Sequence, residues 1–261
     1  MITLPNEARI GSGARRRRLK LIIAYDGAPF RGWQSQANAD TIQDRIEHAF
    51  ARIAGEKIRV HGAGRTDTGV HALGQCAHAD VPPKKLAPDI WQNALNASLP
   101  PQIRILSCRF VPPAFHARFS ARGKLYRYQL ATAPVLSPFE VNRAWHVAGA
   151  LDNEALRACA AAFVGTYDFA GFAANRGKAS ASTTRTIRSV RVRRTAASTV
   201  VEFDGDGFLY KMVRLMAGAI IRCALGKESL AEVQYRLAAP RSDGARLVAP
   251  AAGLTLVRVR Y

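Results

Sequence analysis

Gly62-Ala63-Gly64-Arg65-Thr66-Asp67-Thr68-Gly69-Val70-His71-Ala72 lies between two apolar alternations, Ile58-Arg59-Val60-His61 before it and Gln75-Cys76-Ala77-His78-Ala79 after it. The alternations predict strands over about 57–62 and 75–81, joined by a loop with three glycines. Glycine is used where a backbone turns left-handed or approaches another chain closely, and such loops are common mounts for reactive side chains. Asp67 is the sole carboxylate between Glu56 and Asp80. A carboxylate needs no activation to serve as nucleophile or base at neutral pH. Arg65, two residues earlier, would share its side of an extended segment and steer anions toward it. The same residues also suit an ordinary ion-paired turn.

Working outward, the preceding residues supply a strand over Leu19–Tyr25, ended by Asp26-Gly27. Ile42, Ile46, Phe50 and Ile53 then recur at helical spacing, with Asp40 as the expected N-cap and Gly55 after the end. After the loop, Pro88 and Asp89 open a second helix through Trp91 and Leu95, and Ile103–Val111 reads as a strand. The order is β-α-β-β-α-β. It recurs downstream: a strand over Lys124–Leu130, a helix from Asp152, strands over Ile187–Arg193 and Thr199–Phe203, a helix from Phe208 to Cys223, and a last strand over Leu254–Val259. Ala144–Val147 extends or pairs with the first of these strands, and Ser229 with Glu232 opens an extra helix with a capping box. The expected fold class is α+β: two ferredoxin-like, RRM-like halves forming a largely antiparallel central sheet, with helices on one face and an active-site cleft between the halves. The expected divisions are a flexible basic tail (1–18), an N-terminal half with the glycine loop (19–112) and a C-terminal half (113–261).

Charge narrows the partner. Lys and Arg number 38 against 19 Asp and Glu, a balance of +19 that makes polyanions the leading partner class. Arg191 and Arg193 share a strand face, which suits either a phosphate track or a solvated surface, and Arg15–Arg18 suits an RNA-binding arm or a solvated tail. The four cysteines, Cys76, Cys108, Cys159 and Cys223, are widely spaced, which fits a reducing cytoplasm. No apolar run reaches the eighteen or so residues of a membrane span, and no secretory signal is expected. Gly62-x-Gly64-x-x-Asp67 carries a carboxylate where a dinucleotide fingerprint has its last glycine. Asp204-Gly205-Asp206-Gly207 has Leu215 where a calcium loop needs a chelating glutamate, so it reads as a turn. His61, His71 and His78 lack the accompanying ligands of a metal site.

Gly64-Arg65-Thr66-Asp67-Thr68-Gly69-Val70-His71-Ala72 resembles the signature of the tRNA pseudouridine synthase A family. Tyr25-Asp26-Gly27, Phe30 and Gly32-Trp33-Gln34 resemble the family's opening segment, and Phe115-His116-Ala117-Arg118-Phe119-Ser120-Ala121 with Tyr126-Arg127-Tyr128 its central one. Phe208-Leu209-Tyr210, Met212-Val213-Arg214 and Gly253-Leu254 resemble its C-terminal elements, so the likeness spans about residues 19–261. Thr68 stands where the family usually has alanine, and Lys211 and Leu215 replace what are more often His and Asn.

The resemblance implies isomerisation of uridine to pseudouridine in the anticodon arm of tRNA, at positions 38–40, with Asp67 as the catalytic aspartate. It implies active-site support from Arg65, Tyr126 and Arg214, and RNA contacts from Tyr126, Arg65, Gln34, Phe208 and Arg118. The reaction is redox-neutral and imports no group, so no metal or organic cofactor is expected. The family works as a homodimer with one tRNA touching both subunits. From the residues alone, Tyr126, Phe208 and Met212 also suit core positions, and Trp33 with Gln34 suits a loop anchor. The competing function is a non-catalytic RNA-binding or RNA-folding protein on the same scaffold.

Overall fold

Leu19, Leu21, Ile23 and Tyr25 are buried on one side of the first strand, β1 (Arg17–Tyr25), and Lys20 and Ile22 point to the other. The same two-sided alternation governs the whole sheet in this computed structural model, which describes residues 16–37, 40–83, 86–174, 182–195, 198–239 and 247–261. The first repeat continues with α1 (Ile42–Ala54), β2 (Val60–Gly62), β3 (His71–Val81), α2 (Pro88–Ser98) and β4 (Ile103–Val111). The second comprises β5 (Gly123–Ala131), β6 (Trp145–His146), α3 (Asn153–Ala162), β7 (Gly165–Asp168), β8 (Thr184–Arg194), β9 (Ser198–Gly205), α4 (Met212–Ala224), α5 (Leu230–Ala238) and β10 (Leu254–Arg260).

Among the described residues the strands form a single sheet in the order β4-β1-β3-β10-β5-β9-β8-β7, with β2 beside β3 and β6 beside β5. The order β4-β1-β3-β2 in the first repeat recurs as β10-β5-β9-β8 in the second, the ferredoxin-like arrangement twice over. All ladders are antiparallel except β10 on β3 and β6 on β5. The fold is therefore the mixed α+β, largely antiparallel class expected.

One face carries the main core. Ile42, Ile46 and Phe50 of α1, Trp91 and Leu95 of α2, Leu156 and Cys159 of α3, and Met216 and Ile220 of α4 pack there with Ile23, Tyr128 and Phe203 of the strands. Each such fully buried side chain contributes about 1.5–3 kcal/mol. Among the described residues the opposite face holds a small cluster around Ala63, Cys76 and Ala117, and carries ion pairs: Glu202 pairs with Arg127 and Arg193, and Asp204 with Arg188 and Arg260. Arg193 is exposed and ion-paired with Glu202 at 2.8 Å.

β3 joins the halves. Its residues Ala77, His78 and Ala79 pair with β2, while His71 and Ala72 pair with Thr255 and Leu256 of β10, respectively. The edge of β3 changes neighbours within a few residues, from β10 at His71 and Ala72 to β2 at Ala77–Ala79, and between them Cys76 and Gln75 hydrogen-bond to Ala63 and Gly64 of the glycine loop.

Several local expectations change. Thr41, not Asp40, caps α1, its hydroxyl accepting from the Asp44 N–H, because the Asp40 carboxylate is held by Arg45. β3 begins at His71 rather than Gln75, so the end of the glycine motif is already strand. Phe208 is not helical: Lys211 has φ 59°, a break that delays α4 to Met212. Arg17 and Arg18 belong to β1 rather than to the tail; Arg18 grips Asp80, Arg17 lies over the Phe110 ring at 3.5 Å, and Arg16 pairs with Glu56. Residues 1–15 of the expected flexible tail lie outside the described residues. Of the 204–207 stretch expected as a turn, Asp204 and Gly205 are still β9 and the chain bends only at Asp206, whose Oδ1 accepts from the Thr186 N–H. Ser229 and Glu232 form the capping box.

Candidate active site

The loop bearing Asp67 is pinned on three sides. The Ala63 N–H donates to Cys76 O (2.7 Å) and Gln75 Nε2 to Gly64 O (2.8 Å), tying its first half to β3. The Trp33 N–H donates to Thr66 O (3.1 Å), and the Tyr25 and Thr66 hydroxyls share a 2.8 Å hydrogen bond, tying its second half to the segment after β1 and to the end of β1 itself. Two glycines make this approach feasible. Gly32 has φ +84°, and a Cβ there would lie 2.8 Å from Thr66 O; Gly69 has φ +79° in the turn that enters β3. Trp33 is 2% exposed and packs on Gly62, so it anchors the loop rather than offering a face to a base.

Asp67 is thereby presented to a cavity of about 930 Å³, walled by the loop and β2 on one side and by Lys124, Tyr126, Phe208 and the segment Leu209–Arg214 on the other. Its Oδ2 accepts from Arg214 Nη1 at 2.9 Å. Arg214, in the first turn of α4, also donates from Nε to Ala249 O at 2.7 Å, so the guanidinium is fixed at both ends. Both side chains are mostly buried, at 15% and 19% exposure, where an ion pair is little screened.

Tyr126 stands beside this pair, 7% exposed, its ring edge-on to Phe208 at 5.3 Å between centroids. Burial raises its phenol pKa well above the ordinary value, and the neighbouring Tyr25 and Asp67 push the same way. Tyr126 is therefore a neutral phenol that can stack or donate a hydrogen bond.

Arg65 is exposed, and its Nε donates to Gln34 Oε1 at 3.1 Å. Gln34 Nε2 donates in turn to Gln43 Oε1 (2.8 Å), and Gln43 Nε2 to Glu47 Oε1 (2.8 Å), which also accepts the Val60 N–H (2.9 Å). This relay aims Arg65 along the cleft wall. Among the described residues, Arg214, from 147 residues away in sequence, is an arginine on the carboxylate. Arg118 is exposed on the rim of the same cavity.

The structure thus brings Asp67, Arg214, Tyr126, Phe208, Arg65, Gln34 and Arg118 into one cleft. Sequence reasoning missed Gln43, a buried polar residue i,i+4 to Glu47 on an otherwise apolar helix face, and Lys124, two residues from Tyr126 on the same side of β5. Burial and the nearby Arg118 and Arg185 lower the Lys124 pKa to about 8. It also missed His116, which joins His61 and His78; His71 lies apart, with Nε2 2.7 Å from Asn142 O.

Among the described residues that line it, Asp67 is the one carboxylate of a cationic cleft built from both ferredoxin-like repeats, an arrangement suited to chemistry on a polyanion. A family model described as tRNA pseudouridine synthase matches residues 21–120 and 159–261. A tRNA pseudouridine synthase A from Akkermansia muciniphila is 47% identical over 251 residues, covering 94% of this chain and 95% of that protein. Proteins of the same name from Solidesulfovibrio magneticus (45% identical, 94% of this chain and 91% of that one) and Acetivibrio thermocellus (40%, 94% and 100%) are similar along nearly their whole length. The chain belongs to the tRNA pseudouridine synthase family, isomerases that act on uridine in RNA.

Proposed function

We propose that this protein isomerises uridine to pseudouridine at positions 38–40 in the anticodon arm of tRNA, with Asp67 as its catalytic aspartate. The observation that carries the reading is the Asp67 carboxylate, held by Arg214 at 2.9 Å on the wall of a large cleft beside the ring of Tyr126. A pure binding protein gains nothing from an anion there, because it repels the phosphates that the +19 chain attracts.

The uridine leaves its stack and enters the cleft, as chemistry on a paired base requires. Tyr126 stacks on it, and its phenol O–H is available to donate. Arg214 fixes the direction of the Asp67 carboxylate. Asp67 then attacks C1′ or removes a sugar proton on a glycal route. In either case the N1–C1′ bond breaks, the uracil turns over, and C5 bonds to C1′. The C5 proton goes to solvent and N1 gains one, so atoms and electrons balance without an external oxidant or reductant. Arg65, held by Gln34, contacts backbone phosphate or the space that the base vacates. The working unit is a homodimer in the cytoplasm; the unpaired cysteines and the charge balance support that compartment.

The test is base-resolution mapping of pseudouridine in an unmodified tRNA mixture incubated with wild type or Asp67→Ala. Wild type should mark positions 38–40, and Asp67→Ala none. Marking elsewhere refutes the site assignment, and marking by Asp67→Ala refutes the role of Asp67.

A further inference from the structure

The rim of the cleft carries a column of rings. His78, 2% exposed on β3, stacks on His61 of β2 with centroids 5.0 Å apart and planes at 19°. The His116 ring meets His78 edge-on at 4.6 Å, and Phe119 covers His116 at 4.4 Å with planes at 33°. Phe119 is 77% exposed at the outer end. His61, His116, Arg118 and Phe119 all line the cavity that holds Asp67.

The turn from His116 to Ser120 holds this end rigidly. His116 Nδ1 accepts the N–H groups of Arg118 (3.1 Å) and Phe119 (3.3 Å), Ser120 Oγ accepts the His116 N–H (3.0 Å), and the Ser120 N–H returns to His116 O (2.9 Å). His78 Nδ1 accepts the Ala117 N–H at 3.1 Å, fastening the turn to the sheet. A large apolar ring left exposed, preset by its backbone and backed by other rings, is how single-stranded nucleic acid is received: any base can stack on it. The Arg118 guanidinium lies 5.6 Å from the Phe119 ring centroid, on the rim where the backbone of a bound strand would run. The cavity is far larger than one uracil needs, so it has room for the nucleotide beside the reacting one.

We infer that the outer face of Phe119 is a stacking platform for an unpaired nucleobase flanking the target uridine, with Arg118 taking the adjoining phosphate. The inference rests on the reading of the Asp67 cleft as the uridine site. Stacking makes the platform tolerant of base identity, so it holds the opened strand without dictating its sequence.

The test uses the full-length protein and an anticodon-arm RNA carrying 2-aminopurine on either side of the target uridine. Binding to wild type should quench the fluorophore on one flank. Phe119→Ala should abolish the quench and weaken binding on the order of tenfold to a hundredfold, the range for loss of one stacked base. Phe119→Trp should keep both. Because the ring is largely exposed, the urea midpoint of Phe119→Ala should match wild type. Unchanged quench and affinity in Phe119→Ala, or no quench on either flank with wild type, overturns the platform; loss of affinity that tracks loss of stability overturns it too. The active-site reading is scored separately: Asp67→Ala should bind and quench yet fail to turn over. Turnover by Asp67→Ala sinks that reading whatever Phe119 does.

Discussion

Arg214→Met removes the Arg214 guanidinium from Asp67 while keeping an unbranched, helix-compatible side chain near the start of α4. The mostly buried carboxylate then loses its 2.9 Å charged donor, and Ala249 O loses its 2.7 Å one. Removing one member of a buried pair costs about 3–5 kcal/mol, and both groups here keep partial access to the cleft, so about 2–3 kcal/mol is the reasoned figure. If the cost appears as lost orientation of Asp67 in the transition state, kcat falls roughly 30- to 150-fold. Arg214→Lys retains the charge, but a single ammonium cannot reach both Asp67 and Ala249 O as the fork does, and a loss of about tenfold is expected. Turnover is read from pseudouridine formed in saturating tRNA, with urea unfolding run on the same samples. Wild-type kcat in Arg214→Met would refute the positioning argument, as would a kcat loss fully explained by unfolded enzyme.

Three further outcomes follow from the geometry. Burial, with Arg18, His116 and His61 close by, drives the His78 pKa down to about 4, opposed only by Asp80. A histidine pKa lower in the fold than in the unfolded chain means stability is full above pH ~6.5 and declines toward pH 4, by about 2 kcal/mol at pH 4.5; His78→Gln should flatten that part of a urea-midpoint titration, and an unchanged slope would contradict it. Gly32→Ala forces a side chain onto φ +84° and against Thr66 O, so it should destabilise by about 1–3 kcal/mol and depress kcat by displacing the Asp67 loop, as thermal unfolding and turnover would show. Affinity for tRNA should fall steeply with salt, and Arg118→Ala should reduce the log–log slope by about one, measured by filter binding from low to physiological salt.

What the sequence made legible was local. Alternation placed β1 and β4 to within two residues, and Ser229 with Glu232 announced α5 because a capping box is satisfied by four consecutive residues. The repeated element order gave the class of sheet. Less legible was anything decided by competition or distance. Asp40 and Thr41 are both good N-caps, and Arg45 settles the matter by taking the Asp40 carboxylate. Phe208 falls on the helical period of Met212 and Leu215, but the left-handed Lys211 cuts it off from α4. The start of β3 was hidden because His71, Ala72, Gln75 and Cys76 are buried on both faces, so no alternation marks it. The site follows the same rule. Asp67 stands out as an isolated carboxylate among glycines, whereas the relay Gln34–Gln43–Glu47 and the ring column His78–His116–Phe119 join distant segments that only the folded sheet brings together.

The most direct test of the central claim is release of tritium from an anticodon-arm RNA labelled at C5 of its uridines, with wild type beside Asp67→Asn. Forming the C5–C1′ bond expels the C5 hydrogen, so release counts turnovers. The account predicts release by wild type, none by Asp67→Asn, and comparable RNA binding by both. Release by Asp67→Asn at the wild-type rate would contradict it.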